Sequence, residues 1–411
     1  MTKELYYDSA YISEFFAEVV SCEQILDKKD KKERYEVILD RTAFFPEQGG
    51  QGSDSGVLEF GDAGNAAKVM HVSIGTEIRH LVDREIPVGT TVHGVIDWAH
   101  RFSNMQQHTG EHIFSGLVNS GFGYNNVGFH LSDSEVTMDY DGVLSPEDIK
   151  ALELKANQAI WANLEVLCEF PEADKLVEIP YRSKKELEGD VRIVTIPGID
   201  ICACCAPHVI RTGEIGILKV VGLQNYKGGV RVNILCGQRA LEYLQNEHEI
   251  VSELSGMLTT SSDKVIASVK RAFEDNSAMK AELSQAKEAL IEYELEDIIK
   301  ATSTDREKGI YVSSDNSDIY VIKDNSYDSN MMRKLVNELA GKKAGYCGAF
   351  AGSADKGYRF IVASGTAGKD CKNFCDKLRS DFGAKGGGAP AMIQGSLNHE
   401  DIDAVVTSIS E

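Results

Sequence analysis

Up to residue 96, apolar residues come in short runs that glycine and aspartate interrupt: EVILD at 36–40, KVMHVSI at 68–74 and TVHGVI at 91–96. Such runs predict the strands of a small β-barrel or meander. Between 100 and 119 the period changes, and Phe102, Met105, Ile113 and Leu117 fall at near-helical spacing. Further strands are expected at EVTMDY, EVLCEF and VRIVTIP, with helices near 146–164 and 181–188. The stretch 240–300 reads as one long helical segment with a break near Gly256. Within it Val265, Val269, Ala272, Asn276, Met279, Leu283, Ala286, Leu290 and Tyr293 follow a 4-3-4-3 spacing. That is the seam of a coiled coil, of an antiparallel helical pair, or of a helix packed on its own domain. Beyond 308, apolar strands (GIYVSS, IYVIK, GAFAGS, RFIVASG) alternate with amphipathic helices at 329–340 and 368–381, a small α/β pattern.

The predicted fold class is α+β. Its expected parts are a β-barrel domain over 1–95, an α+β domain over 96–239, a helical linker over 240–304 and an α/β domain over 305–411. Seven of the eight prolines lie between Pro46 and Pro207, which leaves the later chain free for long helices.

Composition narrows the class. In 411 residues the hydrophobic share is 42% and the charged share 26%, ordinary values for a globular protein. No apolar run reaches the roughly 18 to 20 residues of a membrane span, and the N-terminus lacks a secretory signal layout, so no membrane association is expected. The nine cysteines, three of them crowded into CACC at 202–205, read as reduced thiols or metal ligands of a cytoplasmic protein. A net charge of -21 argues against a generic polyanion binder. Between 331 and 390, however, eleven Lys and Arg against five Asp and Glu leave a local charge of +6.

The strongest chemical signal is His108-Thr109-Gly110-Glu111-His112. Histidines at i and i+4 share one helix face, so both rings can converge on one cation. A second half-site, Cys204-x-x-x-His208, lies inside CACCAPH. Three imidazoles and one thiolate suit Zn²⁺. Cys202 and Cys205 compete for the thiolate position, and Cys204 is preferred because its spacing to His208 matches that of the histidine pair. The same HTGEH also fits the H-x-x-E-H motif of zinc peptidases, with Glu111 as general base.

A second signal is the segment RTAFFPEQGGQGSDSG at 41–56, with four glycines in eight residues from Gly49 to Gly56. Glycines there permit close backbone approach to a ligand, or simply form a tight hairpin. Thr42 and Gln51 supply neutral donors and acceptors able to read a small hydroxyl or orient water.

RTAFFPEQGGQGSDSG, RFSNMQQHTGEHIFSGL and CACCAPHVIRTGEIG together resemble, in order and spacing, the editing region of alanyl-tRNA synthetases and the free-standing alanyl-tRNA editing (AlaX) proteins. The Lys385–Pro390 stretch KGGGAP resembles the Gly-rich end of the DHHA1 domain that closes long AlaX proteins. The family's half-site often reads CGGTH, and here Pro207 stands in place of the Thr.

This resemblance implies a zinc-dependent hydrolase acting on tRNA(Ala) mischarged with serine or glycine. It implies ester chemistry assisted by Gln51 and the amides of Gly49 and Gly50, with Thr42 reading the seryl hydroxyl. Glu111 is expected at the helix surface or behind the ligands. With only about 40 residues ahead of the FFPEQGGQ loop, no aminoacylation is expected. tRNA would be held by Lys342, Lys343, Lys356, Arg359, Lys372, Lys377, Arg379 and Lys385, with the Gly386, Gly387 and Gly388 amides meeting phosphate. A homodimer through 265–293 would use the helical seam. The rival classes are a non-catalytic tRNA-binding factor with structural zinc, the zinc peptidase, and a phosphodiesterase, although no Asp-His-His triplet occurs in the chain.

Overall fold

Six strands, β1 (Glu14–Leu26), β2 (Glu33–Leu39), β3 (Gly56–Phe60), β4 (Ala66–Ile74), β5 (Ile78–Val82) and β6 (Thr91–Ile96), close into a barrel in the order β1-β2-β5-β4-β3-β6. In β1, Phe15, Ala17 and Val19 are buried between exposed neighbours, the alternation that lets one strand face fill a barrel interior. Val37, Leu39, Leu58, Val69, Val72, Val82 and Val92 complete that interior. Phe44 and Phe45, which follow β2, are fully buried in the same core. The loop after β2 is thereby anchored at its start. These are features of a computed structural model that describes residues 2–26, 32–61, 64–183 and 189–410.

The chain forms two units, Met1–Leu254 and Ser255–Glu411. In the first, the barrel leads into α1 (Trp98–Phe122), capped by the Asp97 side chain and ended by Gly123 at φ 73°. Then follow β7 (Asn126–Leu131), β8 (Val136–Tyr140), α2 (Pro146–Trp161), β9 (Leu167–Glu169), β10 (Ile193–Ile196), β11 (Asp200–Ala203), β12 (Leu218–Tyr226) and β13 (Gly229–Cys236). A four-stranded sheet runs β12-β13-β8-β7, and a three-stranded sheet runs β9-β10-β11. α1 lies among them and is buried on nearly every side from Asn104 to Gly116. A helix of that kind has no solvent face in its middle turns, which matters for the site below. The helix expected near 181–188 does not appear at 181–183, and 184–188 lies outside the described residues.

The 240–300 stretch is two helices, α3 (Gly237–Met257) and α4 (Val265–Lys300), parted one residue after Gly256. The predicted seam is largely uncovered: Met279, Leu283, Leu290 and Tyr293 are exposed, Tyr293 at 83%. A neighbouring stripe, Ile291, Leu295 and Ile298, packs into the second unit instead. The end of α4 is thus a helix packed on its own domain, along a stripe one position displaced from the seam.

That unit is built on β14 (Ile310–Val312), β15 (Ile319–Lys323), α5 (Ser329–Ala340), β16 (Tyr346–Ser353), β17 (Gly357–Ser364), α6 (Cys371–Phe382), β18 (Lys385–Ala389), β19 (Met392–Leu397) and α7 (Ile402–Ser410). The sheet order is β14-β15-β16-β17-β19-β18, with β15 and β16 parallel. α5 and the end of α4 cover one face, α6 and α7 the other. Among the described residues no helix is long and apolar enough to cross a membrane.

Candidate metal centre

The glycine-rich loop begins as a two-residue hairpin: Gln48 N–H donates to Gln51 O at 3.2 Å, and Gln51 N–H to Gln48 O at 3.1 Å. Gly49 and Gly50 between them have φ of 64° and 85°, as a type I′ turn requires. Both also sit against neighbours. A Cβ on Gly49 would lie 3.1 Å from Cys205 Sγ, and one on Gly50 would lie 2.7 Å from the Phe129 carbonyl oxygen. The loop therefore docks between the CACC segment and β7. Three residues on, the fully buried Asp54 pairs with the fully buried Arg101 of α1. Asp54 Oδ2 also accepts from Phe45 N, and Arg101 donates to the Ala10 and Ala43 carbonyls. This ion pair fastens the loop to the helix that carries the histidines.

His108 and His112 lie one turn apart on α1, and Cys204 and His208 lie in the loop after β11. One ligand atom from each of the four falls within 4.8 Å of all the others. Each ring is turned by a partner on its far side. His108 Nδ1 meets Gln51 Oε1 at 2.8 Å. His112 Nδ1 meets Asp200 Oδ2 at 2.9 Å, and Arg182 holds that carboxylate through two bonds of 2.7 and 2.8 Å. His208 Nδ1 meets Thr109 Oγ1 at 3.1 Å. Because the Thr109 hydroxyl donates to Met105 O at 2.8 Å, the His208 Nδ1 must carry the proton in that contact. All three rings are consequently held as Nδ1–H tautomers, with the bare Nε2 atoms left to face Cys204 Sγ. Sγ lies 3.5 Å from His108 Nε2 and 3.4 Å from His208 Nε2.

The electrostatics of His208 and Asp200 suit a ligand set, while the His112 ring, which burial pulls down, is carried above its ordinary pKa by its bond to Asp200. Burial, followed by the neighbouring His112 and His108, pushes the His208 ring well below its ordinary pKa and keeps it neutral. For Asp200, burial pulls the carboxyl upward, but the bonds from His112 and Arg182 outweigh it and hold the group ionised. His112, Asp200 and Cys202 form a second possible cluster. Asp200 is already committed to His112 Nδ1 and Arg182, so that cluster reads as support for the first. Cys205 faces Gly49, and burial pushes its thiol up to about 12. Of the three competing thiols, Cys204 joins the histidines. Three imidazole nitrogens and one sulfur, each imidazole oriented from behind, fit a borderline-soft divalent cation.

Of the two places expected for Glu111, the structure shows the one behind the ligands. Glu111 is buried, not at the helix surface, because α1 has no solvent face at that point. Its Oε1 accepts from Ser115 Oγ at 2.7 Å and Asn126 Nδ2 at 2.6 Å, and its Oε2 lies 3.9 Å from His112 Nε2. Thr42 is fully buried and its hydroxyl is bonded to His80 Nε2 at 2.8 Å. Gln51 touches the metal set directly, and no described hydrogen bond ties Thr42 to it. Sequence reasoning also missed Thr109, Arg182, Asp200 and His80, whose roles depend on contacts across the fold.

In the second unit the eight nominated cations do not form one patch. Lys372, Lys377 and Arg379 lie on α6, whose buried side packs on one sheet face. Arg359 lies between Tyr358 and Phe360, which point to that same face, so alternation puts Arg359 on the other. Lys385 joins Arg359 there, both paired in register with Ser396. Lys356 is at the β16–β17 turn, and Lys342 and Lys343 follow α5, where Lys343 bonds Asn316 Oδ1 at 3.1 Å. Gly386, Gly387 and Gly388 form the exposed edge strand β18, and the Gly386 carbonyl accepts from Arg379.

Residues 1–100 match the family model described as tRNA synthetases class II (A). Residues 191–233 match the Threonyl and Alanyl tRNA synthetase second additional domain, a span that contains Cys204 and His208. The Alanyl-tRNA editing protein AlaX-L of Pyrococcus horikoshii is 33% identical over 275 residues, which is 64% of this chain and 64% of that protein. The Alanyl-tRNA editing protein Aarsd1 of Danio rerio is 29% identical over 272 residues, 64% of this chain and 65% of its own. The Alanine--tRNA ligase of Pyrobaculum arsenaticum is 29% identical over 419 residues, 96% of this chain and 42% of its own. The matched stretches span less than two thirds of each of these relatives' own lengths.

Proposed function

Since the chain belongs to the alanyl-tRNA editing family, we propose that it deacylates mischarged tRNA(Ala), chiefly at its seryl ester and only secondarily at its glycyl ester. The observation that carries this reading is the direct bond from Gln51, in the glycine-rich loop, to His108 of the four-ligand cluster. It joins the two motifs that an ester hydrolase needs in one place. His108, His112, Cys204 and His208 would hold Zn²⁺. When bound, such an ion would supply positive charge that anchors and positions the substrate ester.

The chain's own groups do the rest. With Oε1 committed to His108, the Gln51 amide must present its Nε2 hydrogens elsewhere, and Nε2 is buried with no hydrogen-bond partner among the described residues. A buried donor left open in this way costs free energy unless something fills it. We assign that place to the oxyanion of the tetrahedral intermediate, with the Gly49 and Gly50 amides alongside. Glu111 Oε2 accepts a hydrogen bond from the attacking water. Thr42 reads the acyl hydroxyl, because shape alone separates serine from alanine by only about 1–3 kcal/mol. Cations of the 305–411 region grip the tRNA backbone, and the uncovered 265–293 seam joins two copies.

A zinc peptidase is the less favoured alternative, since Cys204 fills the position at which such a site stays open. Incubation with seryl-tRNA(Ala), with and without a chelator, tests the proposal. Loss of the seryl ester that stops on chelation is expected, and a stable ester in the presence of loaded protein rejects it.

A further inference from the structure

We propose that His80 fixes the hydrogen-bond polarity of Thr42, so that Thr42 can act only as an acceptor toward an acyl hydroxyl; this rests on the deacylase reading above. His80 lies on β5 of the barrel, opposite Val37 on β2 and Val72 on β4. It is fully buried, edge-on to Phe44 at 5.7 Å between ring centroids.

The argument is one of valence. His80 Nδ1 lies 3.0 Å from the Val37 carbonyl oxygen, which can only accept, so Nδ1 carries a proton. Burial lowers the ring's pKa to about 4, so near neutral pH it holds no second proton. Nε2 is then a bare acceptor, and the Thr42 hydroxyl 2.8 Å away must donate to it. Phe44 N–H donates to Thr42 Oγ1 at 3.1 Å. The Thr42 proton and one lone pair are therefore both in use. What remains is a single lone pair, and only a donor can satisfy it. A seryl hydroxyl is such a donor, whereas the alanyl methyl and the glycyl hydrogen are not. His80 is a positioning residue: it acts through Thr42 and need not touch the substrate.

Three measurements on the full chain test this. First, ¹⁵N NMR of His80 should show the Nδ1–H tautomer, and an Nε2–H tautomer overturns the inference without bearing on the deacylase reading. Second, the kcat/KM ratio for seryl- over alanyl-tRNA(Ala) should fall about tenfold or more in His80→Phe, the scale of one hydrogen bond. It should stay within about threefold of wild type in His80→Gln, whose amide oxygen can stand in for Nε2 as an acceptor. An unchanged ratio in a folded His80→Phe overturns the inference. Third, should that variant fail to fold, β-fluoroalanyl-tRNA(Ala) on the wild-type chain offers an acceptor of similar size with no donor. Hydrolysis no faster than that of the alanyl ester supports the inference, and hydrolysis as fast as that of the seryl ester contradicts it. A wild-type chain inert toward every one of these esters would overturn the deacylase reading and this inference together.

Discussion

Gln51 Oε1 accepts the Nδ1 proton of His108 at 2.8 Å, so one amide both orients a metal-facing ring and leaves its own N–H group open in a buried site. Gln51→Ala should therefore separate two effects. The rate of seryl-tRNA(Ala) deacylation should fall about 100-fold, the usual cost of removing one oxyanion donor. Metal content should stay near wild type, because three other ligands and the helix still place His108. Single-turnover deacylation with parallel metal analysis measures both.

The Asp54–Arg101 pair sits with no exposure on either side chain. Removing one member leaves a buried charge alone, which costs about 3–5 kcal/mol. Asp54→Ala should lose that much in urea unfolding. Lys300→Ala, which breaks an exposed pair with Glu296, should lose less than about 1 kcal/mol.

His80 also predicts an acid response. Its pKa in the folded chain is about 4, below the unfolded value near 6.5, so folding favours the neutral ring. That stabilisation is complete above about pH 6.5 and is lost as pH falls toward 4. Between those limits wild type should lose about 3 kcal/mol more stability than His80→Gln, read from urea midpoints across the range.

Removing Ser255–Glu411 should weaken tRNA binding and flatten its dependence on salt, since phosphate contacts release counterions. The cut belongs after Leu254 and not at 305, because Ile291, Leu295 and Ile298 are part of the second unit's core. Metal binding should survive in the remaining Met1–Leu254. Filter binding at several salt concentrations decides it, with equal affinity in the truncated chain as the contrary outcome.

Much of this was legible in the chain. The His108–His112 pair followed from helical periodicity, and the barrel from short runs such as KVMHVSI. Other parts were hidden for identifiable reasons. For Glu111 the helix surface and a place behind the ligands both stayed open; α1 is enclosed by the barrel loop and two sheets, which no local pattern encodes. Arg182 and Asp200 act on His112 through tertiary contact, and His80 meets Thr42 because β2 and β5 pair in one register. On α4, the stripes through Leu290 and Ile291 differ by a single position, and periodicity alone does not say which faces the chain's own domain.

The most direct test of the central claim pairs metal stoichiometry with deacylation in wild type, Cys204→Ala and His208→Ala. The account predicts one tightly held divalent ion per wild-type chain, and seryl-tRNA(Ala) hydrolysis that disappears along with that ion in both variants. Variants that hydrolyse the ester at the wild-type rate after losing the ion, or a fully loaded wild type that leaves the ester intact, would contradict it.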